Sequence, residues 1–218
     1  MHSFTEENYL KAIYHLSSED KTEVSTNAIA EVTNTKAASV TDMLKKLADK
    51  KLINYIKYQG VTLTETGTKA AVNIIRKHRL WEVFLVEKLG FKWDEVHDIA
   101  EELEHINSTP LVDRLDDFLG NPATDPHGDP IPDRTGNFLA KKLVKISEMK
   151  QGRGGTISGV NEHSSMFLKH LEKLGLTLGT KINVNELVEF DGSIILSVDG
   201  LKEVTISREV AKNILVIL

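Results

Sequence analysis

The sequence predicts a mainly α-helical protein that ends in a small β module, and three observations carry that expectation. Long segments before residue 120 repeat their apolar residues at helical spacing, four of the five prolines crowd residues 121–136, and short apolar runs broken by Gly and Asp follow. At 218 residues, one large domain or two modest ones are expected. Hydrophobic residues at 40% and charged residues at 27% are values of a soluble globular chain, and no apolar run approaches the roughly 18 residues of a membrane span. The opening Met1-His2-Ser3-Phe4-Thr5-Glu6-Glu7 lacks the basic start and apolar stretch of a signal peptide, so a cytoplasmic location is expected. Cysteine is absent, which excludes disulfides, thiolate zinc sites, iron–sulfur clusters and cysteine nucleophiles. Any metal must be held by His, Asp, Glu or neutral oxygen donors, which favours hard or borderline ions.

In chain order, Thr5 to Ser18 reads as a helix with acids in its first turn and Leu10, Ile13 and Tyr14 on its inner face. Ser25 caps a short helix carrying Ala28, Ile29 and Val32; a turn at Thr33-Asn34-Thr35 leads to a second, Lys36 to Lys50, that buries Val40, Leu44 and Leu47. Leu52 to Tyr58 and Val61 to Thr64 are two strands around a Gln59-Gly60 turn. Helix, turn, helix and β-hairpin together make a winged helix-turn-helix. Glu65 to Leu89 has helical spacing through Ala70, Ile74, Leu80 and Phe84, and Gly90 stops it; its length suits a connecting or dimer-forming helix. Trp93 to Asn107 and Pro110 to Leu119 read as two further amphipathic helices, and the proline-rich stretch as a linker. Beyond it, Leu143–Met149, Gly155–Val160, Lys181–Val188, Ser193–Val198 and Glu203–Ile206 are predicted strands, with one helix at Ser164–Leu174. The expected domains are 1–64, 65–136 and 137–218.

The net charge of −5 is unevenly spread: Asn34 to Tyr58 carries six Lys against Asp42 and Asp49, whereas Trp93 to Gly120 carries nine acids against Arg114 alone. The first segment suits phosphates and the second suits cations. On a continuous helix, Glu101, Glu104 and His105 fall at roughly 40°, −20° and 80° from His97, so four donors share one face. His78 and Glu82 stand four apart in the preceding helix and form a second pair of neighbours. Two His in register with acids, beside a His/Glu pair, point to one or two divalent ions; a cation there relieves repulsion among the carboxylates.

The runs Arg76-Lys77-His78-Arg79-Leu80 with Glu82, Val96-His97-Asp98 with Glu101, Glu104 and His105, and Pro126-His127-Gly128-Asp129-Pro130-Ile131-Pro132 resemble, in order and spacing, the successive motifs of the diphtheria-toxin-repressor and manganese-transport-regulator family. The resemblance covers nearly the whole chain and implies an N-terminal winged helix-turn-helix, a helical metal-binding and dimerisation domain and a C-terminal SH3-like, FeoA-like β-barrel. It also implies a homodimeric repressor of metal-homeostasis genes that binds an inverted-repeat operator with Mn²⁺ or Fe²⁺ as cofactor. It assigns one metal site to Asn8, Glu101, Glu104 and His105. The other takes His78, Glu82 and His97, with Asp125, His127 and Glu162 as further candidates. Asn8 and Lys11 depart from the manganese-responsive branch, which carries carboxylates there.

For DNA, the second helix of the motif presents Lys36, Ala38, Ser39 and Asp42 to base edges and Thr41, Lys45 and Lys46 to phosphates, while Lys57 and Tyr58 on the wing reach the backbone. Two rivals are a winged-helix regulator answering a non-metal ligand, and a di-metal carboxylate enzyme. The enzyme lacks a second Glu-x-x-His to oppose Glu102-x-x-His105, and neither a His-Glu-x-x-His nor a Gly-x-Ser-x-Gly motif occurs.

Overall fold

A computed structural model describes every residue except Met1, Lys21, Thr22, Lys57, Tyr58 and Ala140, and all side chains of the remainder but those of Ser18, Glu19 and Asp20. The chain divides into two compact units: residues 1–78, 101–114 and 132–137 form the first, and 79–100, 115–131 and 138–218 the second.

In the first unit, α1 (Phe4–Asp20), α2 (Thr26–Val32) and α3 (Ala37–Asp49) precede the hairpin β1 (Ile53–Ile56) and β2 (Gly60–Leu63). Ser25 is the N-cap of α2, its hydroxyl accepting from the Ala28 N–H at 3.1 Å, and this satisfies one of the orphan donors of the first turn. The apolar stripe of α3, Val40, Leu44 and Leu47, is buried in one cluster with Leu10 and Ile13 of α1, Ile29 of α2 and Val61 of the hairpin. The strands pair antiparallel from Ile53 opposite Leu63 to Ile56 opposite Gly60. Two polar contacts tie α1 to the helix-turn-helix: Lys50 donates to both Glu6 oxygens at 2.7 and 2.8 Å, and the Tyr9 and Thr35 hydroxyls lie 3.1 Å apart.

The helix α4 (Glu65–Leu89) is continuous and belongs to the first unit as far as His78 and to the second from Arg79. Gly90 ends it with φ +74°, a conformation glycine adopts without a steric cost. The helix expected over residues 93–107 is much shorter: α5 spans His97–Leu103, residues 93–96 form turns, and Glu104 and His105 lie in a turn past its end. The wheel angles that put Glu104 and His105 on one helix face therefore do not apply. α6 follows at Thr109–Phe118.

The second unit holds a six-stranded antiparallel sheet of order β3-β8-β4-β5-β6-β7, built from β3 (Val144–Lys145), β4 (Gly154–Val160), β5 (Lys181–Leu187), β6 (Ile194–Val198), β7 (Lys202–Ile206) and β8 (Ile214–Ile217). Irregular register at Ile157/Gly159 and Val184/Glu186 bends the sheet. α7 (Ser165–Leu174) lays Leu168 and Leu171 on its core beside Ile157, Leu196 and Val216. The expected strand 143–149 is confined to Val144–Lys145, because a 3-10 turn at Ile146–Glu148 sends Ile146 into that core. Sequence reasoning missed α8 (Arg208–Lys212) and β8, which pairs with both β3 and β4. Among the described residues, no helix is long and apolar enough to cross a membrane.

Candidate metal centre

The second unit gathers Glu82 of α4, His97 of α5 and Asp125 and His127 of the proline-rich loop. One donor atom from each of Glu82, Asp125 and His127 lies within 4.8 Å of the others, and all three residues are buried. His127 Nε2 is 2.8 Å from the Trp93 carbonyl, which can only accept, so this nitrogen carries the proton. The remaining nitrogen, Nδ1, faces Glu82 Oε2 at 3.4 Å without a well-formed hydrogen bond. A neutral His127 thus turns a lone pair toward a carboxylate, an arrangement that is repulsive unless a proton or a metal ion lies between them. His97 Nδ1 stands 3.5 Å from the other Glu82 oxygen.

The loop is built to aim these groups. Asp125 Oδ1 accepts from the backbone N–H groups of His127 at 2.8 Å and Asp129 at 3.0 Å, closing a tight turn. Gly128 sits in it at φ +92°, and a Cβ there would lie 2.1 Å from the Ser158 carbonyl oxygen. Only glycine fits, and the close approach seats the loop on β4, where the Val160 N–H donates to the His127 carbonyl at 3.0 Å. His163, just beyond β4, stacks on His127 with ring centroids 4.6 Å apart. Its Nε2 donates to the Val160 carbonyl at 3.1 Å, which leaves Nδ1 as the basic nitrogen.

Charge here is out of balance. Arg79 lies with its Nε 3.5 Å from Asp125 and its Nη2 3.0 Å from Asp129, and Glu82 adds a third carboxyl. Burial, reinforced by Glu82 and Asp129, pushes the Asp125 carboxyl up to about 7. Burial works against a charged His127, but Glu82 beside it raises its value above the ordinary one. His163 is lowered by burial and by the neighbouring His127. A buried site that holds on to protons in this way, with imidazole nitrogens turned inward, fits a divalent cation. Glu162, the residue expected from the β module, is exposed, and its carboxylate accepts from the Ser164 N–H at 2.8 Å. The chain turns after β4, so the position closest to the centre falls to His163, which sequence reasoning passed over.

The first unit gathers a different set. Lys11 Nζ lies 2.7 Å from both Glu104 oxygens and 3.4 Å from Glu101 Oε1. His78 Nδ1 is 2.6 Å from Glu104 Oε2. His105 Nδ1 is 2.6 Å from Glu7 Oε2, and its ring stacks on Phe4 with centroids 4.5 Å apart. The buried Lys77 Nζ stands 4.0 Å from Glu7. Burial opposes ionisation of Glu104, but His78 and Lys11 hold its carboxyl below the usual range, while burial lowers Lys77. Asn8, expected as a donor, is exposed; α1 turns its neighbour Glu7 inward instead. Glu101 and Glu104 are brought together, but around the Lys11 ammonium group, while His105 pairs with Glu7 instead. Among the described residues of this unit, no three carboxylate or imidazole donors converge within 4.8 Å.

On the DNA-facing candidate surface, Lys36, Ala38, Ser39, Asp42, Lys45 and Lys46 are exposed, while Thr41 is half-buried and donates its hydroxyl to the Ala37 carbonyl at 2.9 Å. Lys45 pairs with Asp42 at 3.2 Å. Lys57 and Tyr58 lie outside the described residues.

Three domain families match the chain in succession: the iron dependent repressor N-terminal DNA binding domain over residues 1–61, the iron dependent repressor metal binding and dimerisation domain over 64–133, and the FeoA domain over 144–218. The iron-dependent repressor IdeR of Mycobacterium leprae is 30% identical over 218 residues, covering 95% of this chain and 94% of that protein. Among solved structures, a manganese-dependent transcriptional repressor in complex with manganese is similar at TM-score 0.88 and 34% identity, covering 97% of this chain and 99% of that one. ScaR with bound Zn²⁺ is similar at TM-score 0.79 and 35% identity, covering 97% and 98%.

Proposed function

As the chain belongs to the iron-dependent repressor family, we propose that it represses metal-homeostasis genes as a homodimer that binds an inverted-repeat operator when Mn²⁺ or Fe²⁺ is held by Glu82, His97, Asp125 and His127. Its relatives are transcriptional repressors, so the chain is a regulator and not an enzyme. The proposed organisation is a winged helix-turn-helix over 1–64, a metal-binding and dimerisation domain over 65–136 and an FeoA-like domain over 137–218, acting in the cytoplasm.

The observation that carries the metal reading is the buried His127 Nδ1 set 3.4 Å from Glu82, next to a carboxyl that burial keeps protonated up to about 7. A bound cation supplies the positive charge that these donors lack. Asp125 contributes by ordering the loop through two backbone hydrogen bonds, the Trp93 carbonyl fixes the His127 tautomer, and Arg79 holds Asp125 and Asp129 in place. His163, stacked on His127, brings the β module into contact with the same donors. For DNA, the exposed start of α3 reads base edges through Ala38, Ser39 and Asp42, and Lys36, Lys45 and Lys46 supply phosphate contacts.

The test is fluorescence anisotropy with inverted-repeat duplexes selected from a random pool, at fixed salt, with Mn²⁺, with Fe²⁺ under anaerobic conditions, and with chelator. Binding should require metal and vanish in a His127→Ala variant. Equal binding in chelator would instead favour a winged-helix regulator that answers another ligand.

A further inference from the structure

We infer that Lys11 is the resident cation of the first unit's cluster, so that Glu101, Glu104 and His105 hold no metal and the chain takes one tightly bound divalent ion. This rests on the proposed function, which places that ion on the donors around His127.

A metal ion entering the Glu104 cluster would need atoms that are already engaged. Both Glu104 oxygens lie 2.7 Å from Lys11 Nζ, and one of them also pairs with His78 Nδ1 at 2.6 Å. His105 Nδ1 is held at 2.6 Å by Glu7. The Glu104 side chain is fully buried and that of Lys11 is 15% exposed, so solvent does little to weaken this pairing. An ammonium and a divalent ion set on the same two carboxylate oxygens repel each other across a few ångströms, and this disfavours holding both. Entry therefore means expelling Lys11, and the exposed, uncharged Asn8 offers no carboxylate in exchange.

The position of Lys11 on α1 gives this ion pair a role. The same helix carries Glu6, bound to Lys50 at the end of α3, and Tyr9, bound to Thr35 in the turn before it. Lys11 thus anchors through Glu104 the helix that also grips both ends of the DNA-reading element. The first unit is fixed by its own lysine, which leaves the metal response to the centre in the second.

Full-length protein, stripped with chelator, is dialysed against buffered free Mn²⁺ and its bound metal is counted by elemental analysis and by the Mn²⁺ paramagnetic resonance signal. Wild type should bind one tight equivalent, which His127→Ala loses and Glu104→Gln keeps. Lys11→Gln and Lys11→Glu should each gain a second equivalent, roughly tenfold or more tighter than any second binding in wild type. Metal-free Lys11→Gln should melt below wild type, and Mn²⁺ should restore it. Two tight equivalents in wild type, one of them lost in Glu104→Gln, would overturn the role of Lys11 while the proposed function stands. One equivalent persisting in both Lys11 variants would also overturn it. A single equivalent that survives His127→Ala and disappears in Glu104→Gln would refute the proposed function along with the inference.

Discussion

Replacing Asp125 by Asn isolates the strain at the proposed centre. Moving a carboxyl from its ordinary 3.8 to about 7 costs the ionised form about 4 kcal/mol in the folded protein. The sign follows from proton counts: the folded state keeps the Asp125 proton up to about 7 while the unfolded chain releases it near 3.8, so this residue's contribution is greatest below 3.8 and is lost as pH climbs through about 7. Asn is neutral throughout and keeps an oxygen for the His127 and Asp129 N–H groups, but it forfeits the attraction to Arg79. If about half of the 4 kcal/mol survives that loss, metal-free Asp125→Asn should be stabilised by about 2 kcal/mol at pH 8, or roughly 4–8 °C in Tm for a chain of this size. The gain should shrink at pH 5, where the wild-type residue is protonated in the folded state. Mn²⁺ should reverse the order, because the variant has lost an anionic donor and its affinity should fall upwards of about 100-fold. Scanning fluorimetry in chelator and across a Mn²⁺ series reads all three effects. A metal-free variant that melts below wild type at pH 8 would refute the strain, and an undiminished Mn²⁺ response would refute the ligand role.

The same proton inventory predicts that Mn²⁺ affinity rises with pH between about 6 and 8, since Asp125 and His127 both hold protons above their ordinary ranges and must release them to the ion; calorimetry in buffers of different ionisation enthalpy should record that release. Gly128→Ala would set a Cβ 2.1 Å from the Ser158 carbonyl oxygen at φ +92°, so it should cost on the order of 2–4 kcal/mol and abolish the Mn²⁺-induced rise in Tm; a variant with wild-type melting would show that the loop is not held as described. Lys45→Ala and Lys46→Ala should each weaken operator and random DNA alike and reduce the salt slope by about 1, and a loss confined to the operator would move that lysine from phosphate to base contact.

The winged helix was legible in the sequence because its signals are local. Ser25 caps α2, the spacing of Val40, Leu44 and Leu47 marks the buried face of α3, and Gly90 marks the end of α4. Residues 93–107 kept a helical pattern without forming one helix. Glu104 and His105 leave it because their partners, Lys11, His78 and Glu7, lie far away in sequence and outbid the next helical turn. β8 was missed because Ile214-Leu215-Val216-Ile217 is a short unbroken apolar run at the chain end, with no alternation to separate strand from helix. Which of two adjacent donors turns inward, Glu7 or Asn8 and His163 or Glu162, depends on the rotation of a helix or the exit of a strand. Composition does not encode either.

Both clusters draw on the same residue types, and what separates them is the source of positive charge. Around Glu104 it comes from the chain itself: Lys11 sits on the carboxylate, Lys77 stands near Glu7, and the imidazole nitrogens His78 Nδ1 and His105 Nδ1 are spent on carboxylates. Around His127, Arg79 faces Asp125 and Asp129 while a carboxylate and an imidazole nitrogen stand 3.4 Å apart. A cluster neutralised by a tethered lysine has the same charge at every metal concentration, whereas one left short of a cation changes its charge when an ion arrives. A repressor that reports metal needs the second kind, and under the proposed function the Glu82, Asp125 and His127 donors supply it.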